Sequence, residues 1–316
     1  MTISMESNDG LAERERDQER GRVPLPRHET RSGSPRLHHS PDDPTSLPTV
    51  VALDGGAPEF EQLPCPNGAT GRAWQTRHTE LSVSIVIPTW NEAANIGPVL
   101  RRLGRFDDII LVDAFSEDGT VERALDERPD LRVVSRSPQG KGDALRAGFA
   151  EATGDVIVIM DADGSMDPAE IDVFLSMIAV GFDLVKGSRM ACGGGSHDLT
   201  RVRELGNAAL CGLANRLFRT QWTDLCYGFL AFRRSCLPQL MLRADGFEIE
   251  SQILAHAALA GLRIAEVPSV ELTRLAGESH LAAGRDGRRI LRAMLSARFA
   301  PRSRRAAAAL RPPVAG

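Results

Sequence analysis

Runs of β-branched residues alternate with stretches of helical periodicity along most of this chain. Between residues 81 and 195, the strands are predicted at 83–87, 109–112, 131–134, 156–160 and 183–186. The helices between them are predicted at 93–103, 120–127 and 141–152. Beyond residue 195 the pattern predicts a helix over 201–218, a strand over 229–232, a helix over 248–260 and a strand over 262–267. Apolar strands alternating with amphipathic helices are typical of βαβ units, so we expect an α/β fold with a mostly parallel central sheet flanked by helices.

The first 80 residues lack this alternation. They contain nine of the nineteen prolines and four of the seven histidines. Such a segment buries too little apolar surface to offset the entropy lost on ordering, which predicts a disordered tail over 1–80. The adjacent His38 and His39 are metal-ligand types, but a solvated tail explains them better. We therefore divide the chain into the tail, a folded domain over 81–283, and a basic helix with its tail over 284–316.

Charge, hydropathy and cysteine usage exclude several classes of protein. The net charge of −4 gives no overall basis for nucleic-acid binding. The longest apolar runs are far shorter than the roughly 18–20 residues that cross a bilayer, and residues 1–20 lack the apolar core of a signal peptide. The five cysteines form no CxxC pair, which favours reduced thiols and a cytoplasmic location.

Carboxylates follow three of the predicted strands. The first strand leads to Glu92, the second to Asp113, and the fourth to Asp161 and Asp163. Ligands of open α/β sheets bind beyond the carboxyl ends of the strands, so these side chains are expected in one crevice. Each one singly is also explained as a helix cap or a first-turn residue. Their recurrence at three strand ends favours the functional interpretation.

Asp161 and Asp163 are the strongest candidates for a metal site. They lie two residues apart at a strand end, so their side chains are able to point to the same side. Two carboxylates suit Mg²⁺ or Mn²⁺, with a diphosphate supplying further oxygens. An isolated DxD triplet is weak evidence. Five consecutive apolar residues before this one, in the fourth strand of a βα series, make it much stronger.

The motifs occur in an order that resembles glycosyltransferase family two. They read PTWNE at 88–92, Asp113, SEDGT at 116–120, ATGDVIVIMDAD at 152–163, KGSR at 186–189, DLCYG at 224–228, GFEIE at 246–250, EVP at 266–268 and RLAGESH at 274–280. The resemblance is strongest to the dolichol- and polyprenyl-phosphate mannosyltransferases, and it covers about residues 82–295. It implies a single Rossmann-like domain of the GT-A type that uses a nucleotide-diphosphate sugar.

The resemblance also implies a role for each matching residue. The nucleoside pocket would be lined by Pro88, Trp90 and Glu92, with Asp113 on the base or ribose. The metal and diphosphate would be surrounded by Asp161, Ala162, Asp163 and Ser165. Phosphate groups of the donor or acceptor would be met by Arg189, Arg274 and His280. For the two arginines, exposed salt bridges are the other interpretation.

Several positions depart from the family pattern. The second strand is usually followed by Asp-Asp-Gly-Ser, whereas here Phe115 replaces the glycine, which reshapes the base pocket and leaves the nucleotide open. His280 stands where lysine is usual, so phosphate affinity there would depend on pH. The turn Gly140-Lys141-Gly142 and the loop Gly193-Gly194-Gly195 either approach a diphosphate or serve as flexible connections.

The acceptor decides whether a base is needed. A hydroxyl must lose its proton, and Asp224 is the candidate base, with a structural role in its loop as the alternative. A lipid phosphate is already ionised and attacks directly. In either case the resemblance implies inversion at the anomeric carbon.

The C-terminal segment bears on the acceptor. Residues 285–311 contain nine arginines and one acid, and apolar residues at 290, 291, 294, 295 and 299 share one helical face. Such a helix binds an anionic membrane surface, or packs on the core before a solvated basic tail. The first interpretation fits a polyprenyl-phosphate acceptor and a peripheral position at the inner face of the membrane.

Three competing functions follow from the same residues. The acceptor is alternatively a hydroxyl of a glycan or small metabolite. The segment 156–165 also resembles the first motif of haloacid-dehalogenase-type phosphatases, in which Asp161 would be a nucleophile, but three βα units precede it. A catalytically inactive nucleotide-sugar-binding protein is the third, although such a relative is expected to lose the metal pair or the late arginine.

Overall fold

The computed structural model describes residues 51–52, 81–136, 139–277 and 282–299. Its ten strands are β1 Val51–Ala52, β2 Val83–Thr89, β3 Asp108–Asp113, β4 Arg132–Ser135, β5 Val156–Ile159, β6 Leu184–Ser188, β7 Gly195–Ser196, β8 Leu230–Arg233, β9 Ile264–Pro268 and β10 Val270–Glu271. Its α-helices are α1 Ala93–Arg102, α2 Thr120–Glu127, α3 Lys141–Glu151, α4 Ile171–Ala179, α5 Arg201–Phe218, α6 Leu237–Leu240, α7 Ile249–Ala260 and α8 Ala283–Phe299. Short 3₁₀ turns occur at Pro168–Glu170 and Arg234–Cys236.

Eight strands form one sheet in the order β1-β9-β6-β8-β5-β2-β3-β4. The pairs β5–β2, β2–β3, β3–β4 and β6–β9 are parallel, whereas β8 runs antiparallel to both β5 and β6. β7 and β10 form a separate two-stranded parallel ribbon. The predicted α/β fold with a mostly parallel sheet is confirmed, and the predicted strands and helices occur within about two residues of their expected positions.

The strands of the central sheet are buried on both faces. Ile85 and Ile87 of β2 belong to one hydrophobic cluster, whereas Val86 between them belongs to the other. Successive side chains of a strand point to opposite faces, so a sheet covered by helices on both sides needs continuous apolar runs. This requirement explains why the strands were visible in the sequence. α3 packs so closely on β2 that a Cβ at Gly148 would clash with the side chain of Val86.

Most of the predicted N-terminal tail lies outside the described residues. Val51 and Ala52 are the exception: they form β1, which pairs antiparallel with Glu266 and Ala265 at the edge of the sheet. The sequence did not predict this strand. The His38-His39 pair lies outside the described residues.

The C-terminal helix α8 packs on the core through its apolar face. Ile290, Met294 and Ala297 are buried, and α8 contacts α5 and α7. Leu295 and Phe299 remain exposed. The core-packing interpretation therefore holds for Ile290 and Met294, whereas Leu295 and Phe299 of the same predicted face are on the surface. Binding of this helix to an anionic membrane stays a prediction. None of the described helices has the length and apolarity needed to cross a bilayer.

Candidate active site

Two cavities meet at the carboxyl edge of the sheet, where Asp161 and Asp163 follow β5. The larger, of about 460 Å³, extends towards the ends of β2 and β3 and is lined by residues that include Pro88, Trp90, Glu92, Ala114 and Ala162. The smaller, of about 170 Å³, extends towards α5 and α8 and includes Ser165, Arg189, Leu199, Val202, Leu210 and Ile290. Both are lined by Lys141, Asp161, Asp163, Phe247 and Arg274.

Asp161 shares a cation with a second carboxylate. The Lys141 ammonium, at the start of α3, lies 2.6 Å from Oδ1 of Asp161 and 2.6 Å from Oε1 of Glu250 in α7. Burial alone would lower the pKa of Lys141, but these two carboxylates hold it above its ordinary value. Burial raises the pKa of Glu250, and Lys141 offsets only part of that rise. The three side chains therefore form one charge cluster in the cavity wall, nearly buried at Lys141 and Glu250 and more open at Asp161.

The structure also explains how Lys141 reaches this position. The backbone N–H of Gly142 donates to the carbonyl of Asp245 over 2.8 Å. A Cβ at Gly142 would clash with the carbonyl oxygen of Ala244. Glycine is therefore needed for the start of α3 to approach the loop before α7. The Gly140-Lys141-Gly142 turn is a tight packing contact that directs the lysine into the site, and it is not a flexible connection.

Asp163 is held by Ser165 and Arg274. Its Oδ1 accepts a hydrogen bond of 2.9 Å from the backbone N–H of Ser165, and its Oδ2 lies 3.1 Å from Nη2 of Arg274. Arg274 is positioned because Leu275 donates from its backbone N–H to the carbonyl of Asp163 over 3.0 Å. Arg274 therefore lies beside the DxD segment and pairs with its second aspartate; its contact with a phosphate stays a prediction.

Glu92 gives the site a third carboxylate. Its pKa is raised, chiefly by burial and further by the nearby Asp163 and Asp161, although a hydrogen bond from Asn95 acts in the opposite direction. Three carboxylates of hard oxygen character thus line the larger cavity. The cations Lys141, Arg274 and Arg285 line the same cavity, so the lining carries no surplus of negative charge. Asp161 and Asp163 nevertheless supply the oxygen ligands that suit a divalent cation. Among the described residues, no three His, Cys, Asp or Glu side chains are placed to hold a metal ion together, so diphosphate oxygens and water would supply the remaining ligands.

Arg189 and Asp224 form a buried ion pair with each other. Nε and Nη2 of Arg189 donate to the two carboxylate oxygens of Asp224 over 2.7 and 3.0 Å, and Nη1 donates to Glu271 over 3.1 Å. The Arg189 guanidinium also lies 4.9 Å from the centre of the Tyr227 ring. Burial would raise the pKa of Asp224, but Arg189 and Lys186 lower it below its ordinary value.

This pairing changes the roles expected for both residues. Asp224 is fully buried, bonded on both oxygens and has a lowered pKa, so its contacts favour the structural role over that of a general base. Arg189 lines the smaller cavity, but two carboxylates already occupy its guanidinium. These contacts favour a role in shaping the cavity wall over a direct contact with phosphate.

Asp113 lies at the end of β3, as predicted, but both oxygens of its carboxylate accept hydrogen bonds from Ser116. Its Oδ1 accepts from the Ser116 hydroxyl over 2.6 Å, and its Oδ2 accepts from the Ser116 backbone N–H over 3.0 Å. The next residue, Ala114, lines the larger cavity. His280 lies outside the described residues.

Lys141 and Glu250 are the site residues that the sequence reasoning missed. Lys141 had been weighed only as part of a glycine-rich turn, and Glu250 only as part of the GFEIE motif. A charged residue between two glycines, and an acid at the start of an apolar helix, were the available signals. Neither signal shows by itself that these residues meet at Asp161, which lies 20 and 89 residues away in the chain.

Known proteins resemble this chain over the same region. Residues 84–240 match glycosyl transferase family 2. The dolichyl-phosphate hexose transferase of Haloferax volcanii is 31% identical over 210 residues, which cover 65% of this chain and 89% of that protein. The chain belongs to glycosyl transferase family 2. The undecaprenyl-phosphate mannosyltransferase of Micrococcus luteus is 32% identical over 217 residues, covering 65% of this chain and 89% of that protein.

A solved structure of a glycosyltransferase has a similar fold. Glucosyl-3-phosphoglycerate synthase from Mycobacterium tuberculosis, in complex with Mn²⁺, uridine-diphosphate-glucose and glycerol 3-phosphate, is 25% identical to this chain with a TM-score of 0.58. The alignment covers 74% of this chain and 86% of that one. Membership of the family explains the whole series of motifs, so the haloacid-dehalogenase interpretation of residues 156–165 is set aside.

Proposed function

We propose that this family 2 transferase moves a sugar from a nucleotide-diphosphate donor to a polyprenyl phosphate. One observation carries the proposal: two cavities of different character share Asp161, Asp163 and Arg274 as a common wall. The larger cavity has the aromatic and acidic lining expected around a nucleoside. The smaller one combines cationic side chains and carboxylates with the apolar residues of α5 and α8. With a divalent ion held by Asp161 and Asp163, this lining suits an anionic head with an apolar chain.

The donor diphosphate is placed where the two cavities meet. Lys141 and Arg274 supply positive charge on opposite sides of the carboxylate pair, and charge-assisted contacts of this kind stabilise a leaving diphosphate. Asp161 and Asp163 would hold Mg²⁺ or Mn²⁺, with Ser165 beside them, and the ion would neutralise charge developing on the diphosphate. Pro88, Trp90, Glu92 and Ala162 would enclose the nucleoside and ribose.

The acceptor phosphate needs no protein base. It is ionised at neutral pH, so one of its oxygens forms the new bond to the anomeric carbon as the bond from that carbon to the diphosphate breaks. Attack from the face opposite the diphosphate inverts the anomeric centre. The engagement of Asp224 by Arg189 supports this acceptor over a hydroxyl, because Asp224 was the residue suited to deprotonate one.

The relatives are consistent with this acceptor. Two of them are named for transfer to dolichyl phosphate and to undecaprenyl phosphate. The solved glucosyl-3-phosphoglycerate synthase supports the second candidate, transfer to a hydroxyl of a small phosphorylated molecule, since it was captured with glycerol 3-phosphate. On the first proposal the enzyme works in the cytoplasm at the inner face of the membrane, where the acceptor headgroup is accessible.

The proposal is tested by following the label of radioactive nucleotide sugars. The full chain is incubated with a panel of such donors, Mg²⁺ or Mn²⁺, and either undecaprenyl phosphate or 3-phosphoglycerate. We expect label in the organic phase with the lipid acceptor, and none after Asp161→Asn or Asp163→Asn. Asp172→Asn is the matched control, because Asp172 is an exposed carboxylate paired with Arg105.

Three outcomes would contradict parts of this proposal. Label only in the water-soluble acceptor would establish the hydroxyl candidate instead. Transfer that survives both aspartate substitutions would place the active site elsewhere. Donor binding without transfer to any acceptor would support the inactive sugar-binding alternative.

A further inference from the structure

Each of two neighbouring loops at the carboxyl edge of the sheet contains a non-glycine residue in the left-handed backbone conformation. Asn91 follows β2 and Phe115 follows β3, and each has a φ of 54°. The two strands are paired, with Thr89 opposite Asp113. Asparagine tolerates this conformation, whereas a bulky side chain such as phenylalanine rarely adopts it.

Hydrogen bonds between the loops fix this arrangement. The backbone N–H of Asn91 donates to the Ser116 hydroxyl oxygen over 2.8 Å, and the N–H of Glu117 donates to Oδ1 of Asn91 over 3.0 Å. Asp113 accepts from the hydroxyl and backbone N–H of the same serine. These bonds account for Asn91, Asp113 and Ser116. They do not explain why a phenylalanine occupies position 115, where glycine would adopt the same backbone conformation without strain.

Packing in the core does not explain the presence of a phenylalanine at position 115 either. Its side chain is 58% exposed, so its ring contributes little to the hydrophobic core. Trp90 on the adjacent loop is 48% exposed and lines the larger cavity, as does Ala114, which directly precedes Phe115. Two exposed aromatic residues therefore stand on adjacent loops: Trp90 lines the cavity, and Phe115 directly follows a residue that does. Strained residues that persist without a packing role are typical of ligand-binding sites.

Recognition of the base by hydrogen bonds to Asp113 is the weaker explanation. Asp113 was the residue expected to bond the base or ribose, but both of its carboxylate oxygens accept hydrogen bonds from Ser116. A base at this end of the cavity would thus meet the Trp90 ring, with Phe115 one residue beyond the lining residue Ala114, in place of a free carboxylate. Aromatic side chains bind bases by stacking, and the strength of that contact grows with the ring area of the base.

We propose that Phe115, together with Trp90, binds the nucleobase of the donor by stacking and thereby sets the preference among nucleotides. The inference rests on the proposed nucleotide-diphosphate donor and adds a residue that selects it. Purine nucleotides gain more from this contact than pyrimidine nucleotides, because the purine ring is larger.

The test is isothermal titration of GDP and UDP, with Mn²⁺ present, into the wild type, Phe115→Gly, Phe115→Leu and Phe115→Tyr. Loss of one base–aromatic contact weakens binding about 5- to 150-fold. We expect this weakening of GDP binding for the glycine and leucine variants, a smaller effect on UDP, and affinity within about twofold of wild type for tyrosine, which retains a ring. Melting curves are recorded for each variant. Glycine relieves the backbone strain, so its melting temperature is not expected to fall.

Phe299→Leu is the control, because Phe299 is also exposed and lies in α8. A leucine or glycine variant that binds GDP as wild type does would overturn the inference. An equal loss for GDP and UDP would contradict the dependence on ring area. If the wild type binds neither GDP nor UDP, the preference for purine nucleotides is overturned and donors that carry either nucleotide are excluded. A wild type whose GDP binding is unchanged by the Phe115 substitutions overturns only the role of Phe115.

Discussion

The ammonium of Lys141 lies 2.6 Å from a carboxylate oxygen of Asp161, the first residue of the DxD triplet. The same ammonium lies 2.6 Å from Glu250, whose side chain is almost completely buried. α3, the end of β5 and α7 are therefore joined at one point by a single positive charge. The position of Asp161 depends on two residues that are distant from it in the sequence.

Replacing Lys141 with glutamine is expected to lower the free energy of unfolding by roughly 3–5 kcal/mol, as seen when one partner of a buried ion pair is removed. The loss arises because Glu250 and Asp161 would face each other without a counter-charge. Urea unfolding measures it. The double variant Lys141→Gln with Glu250→Gln should recover part of the loss, because the buried negative charge is removed as well. A single variant as stable as wild type would show that the cluster contributes no net stability.

Replacing Arg274 with alanine is expected to lower kcat/KM for sugar transfer about 10- to 100-fold, since a hydrogen bond to a charged group contributes about 1.5–3 kcal/mol. Steady-state kinetics with the labelled donor measure this, and Arg274→Lys should retain part of the rate. Arg263→Ala is the control, because Arg263 is exposed and pairs with Asp183 away from the site. Equal losses in the two alanine variants would remove Arg274 from the catalytic machinery.

The buried pair of Arg189 and Asp224 predicts a pH-dependent stability. The native pKa of Asp224 is lowered, while an unfolded aspartate titrates near about 3.9. Its stabilising contribution is therefore complete above that pH, and it is lost as the pH falls through the lower native pKa. The difference in unfolding free energy between wild type and Asp224→Asn should be constant from pH 5 to 7 and shrink below about pH 4. Urea unfolding at several pH values tests this. A difference that does not change with pH would mean that the pKa of Asp224 is the same in both states.

The packing of α8 predicts losses of stability of different size for alanine substitutions at two neighbouring residues. Met294 is fully buried, so Met294→Ala should lower the free energy of unfolding by about 2–5 kcal/mol. Leu295 is 37% exposed, and Leu295→Ala should cost clearly less. Thermal and urea unfolding of both variants measure the difference. Equal and small effects would indicate that α8 is not part of the core.

Local patterns in the sequence predicted most of the fold. The strands β2, β3, β5 and β6 were visible because burial on both faces requires continuous apolar residues. The antiparallel direction of β8 was not visible, because a short buried strand reads the same in either direction. The edge strand β1 contains only two residues, so it has too few positions to show a period.

The candidate site was predicted in part. Glu92, Asp161 and Asp163 follow strands, and the geometry of a parallel sheet brings strand ends together. The partners of these carboxylates were not predictable in the same way. Arg189 and Asp224 are separated by 35 residues, and only the tertiary structure decides that they satisfy each other and leave little for a ligand.

The central place of β8 has a consequence for synthesis of the chain on the ribosome. β2 to β5 pair only among themselves and with β8, whereas β6 pairs with β8 and β9. A growing chain that ends before Leu230 therefore has the strands that lead to Glu92 and Asp163, but nothing yet joins β5 to β6. Emergence of four residues, 230–233, unites the two halves, and Arg274 follows later still. The strand ends that carry Glu92 and Asp163 are thus made first, and the arginine that faces Asp163 is added only after β8 and β9.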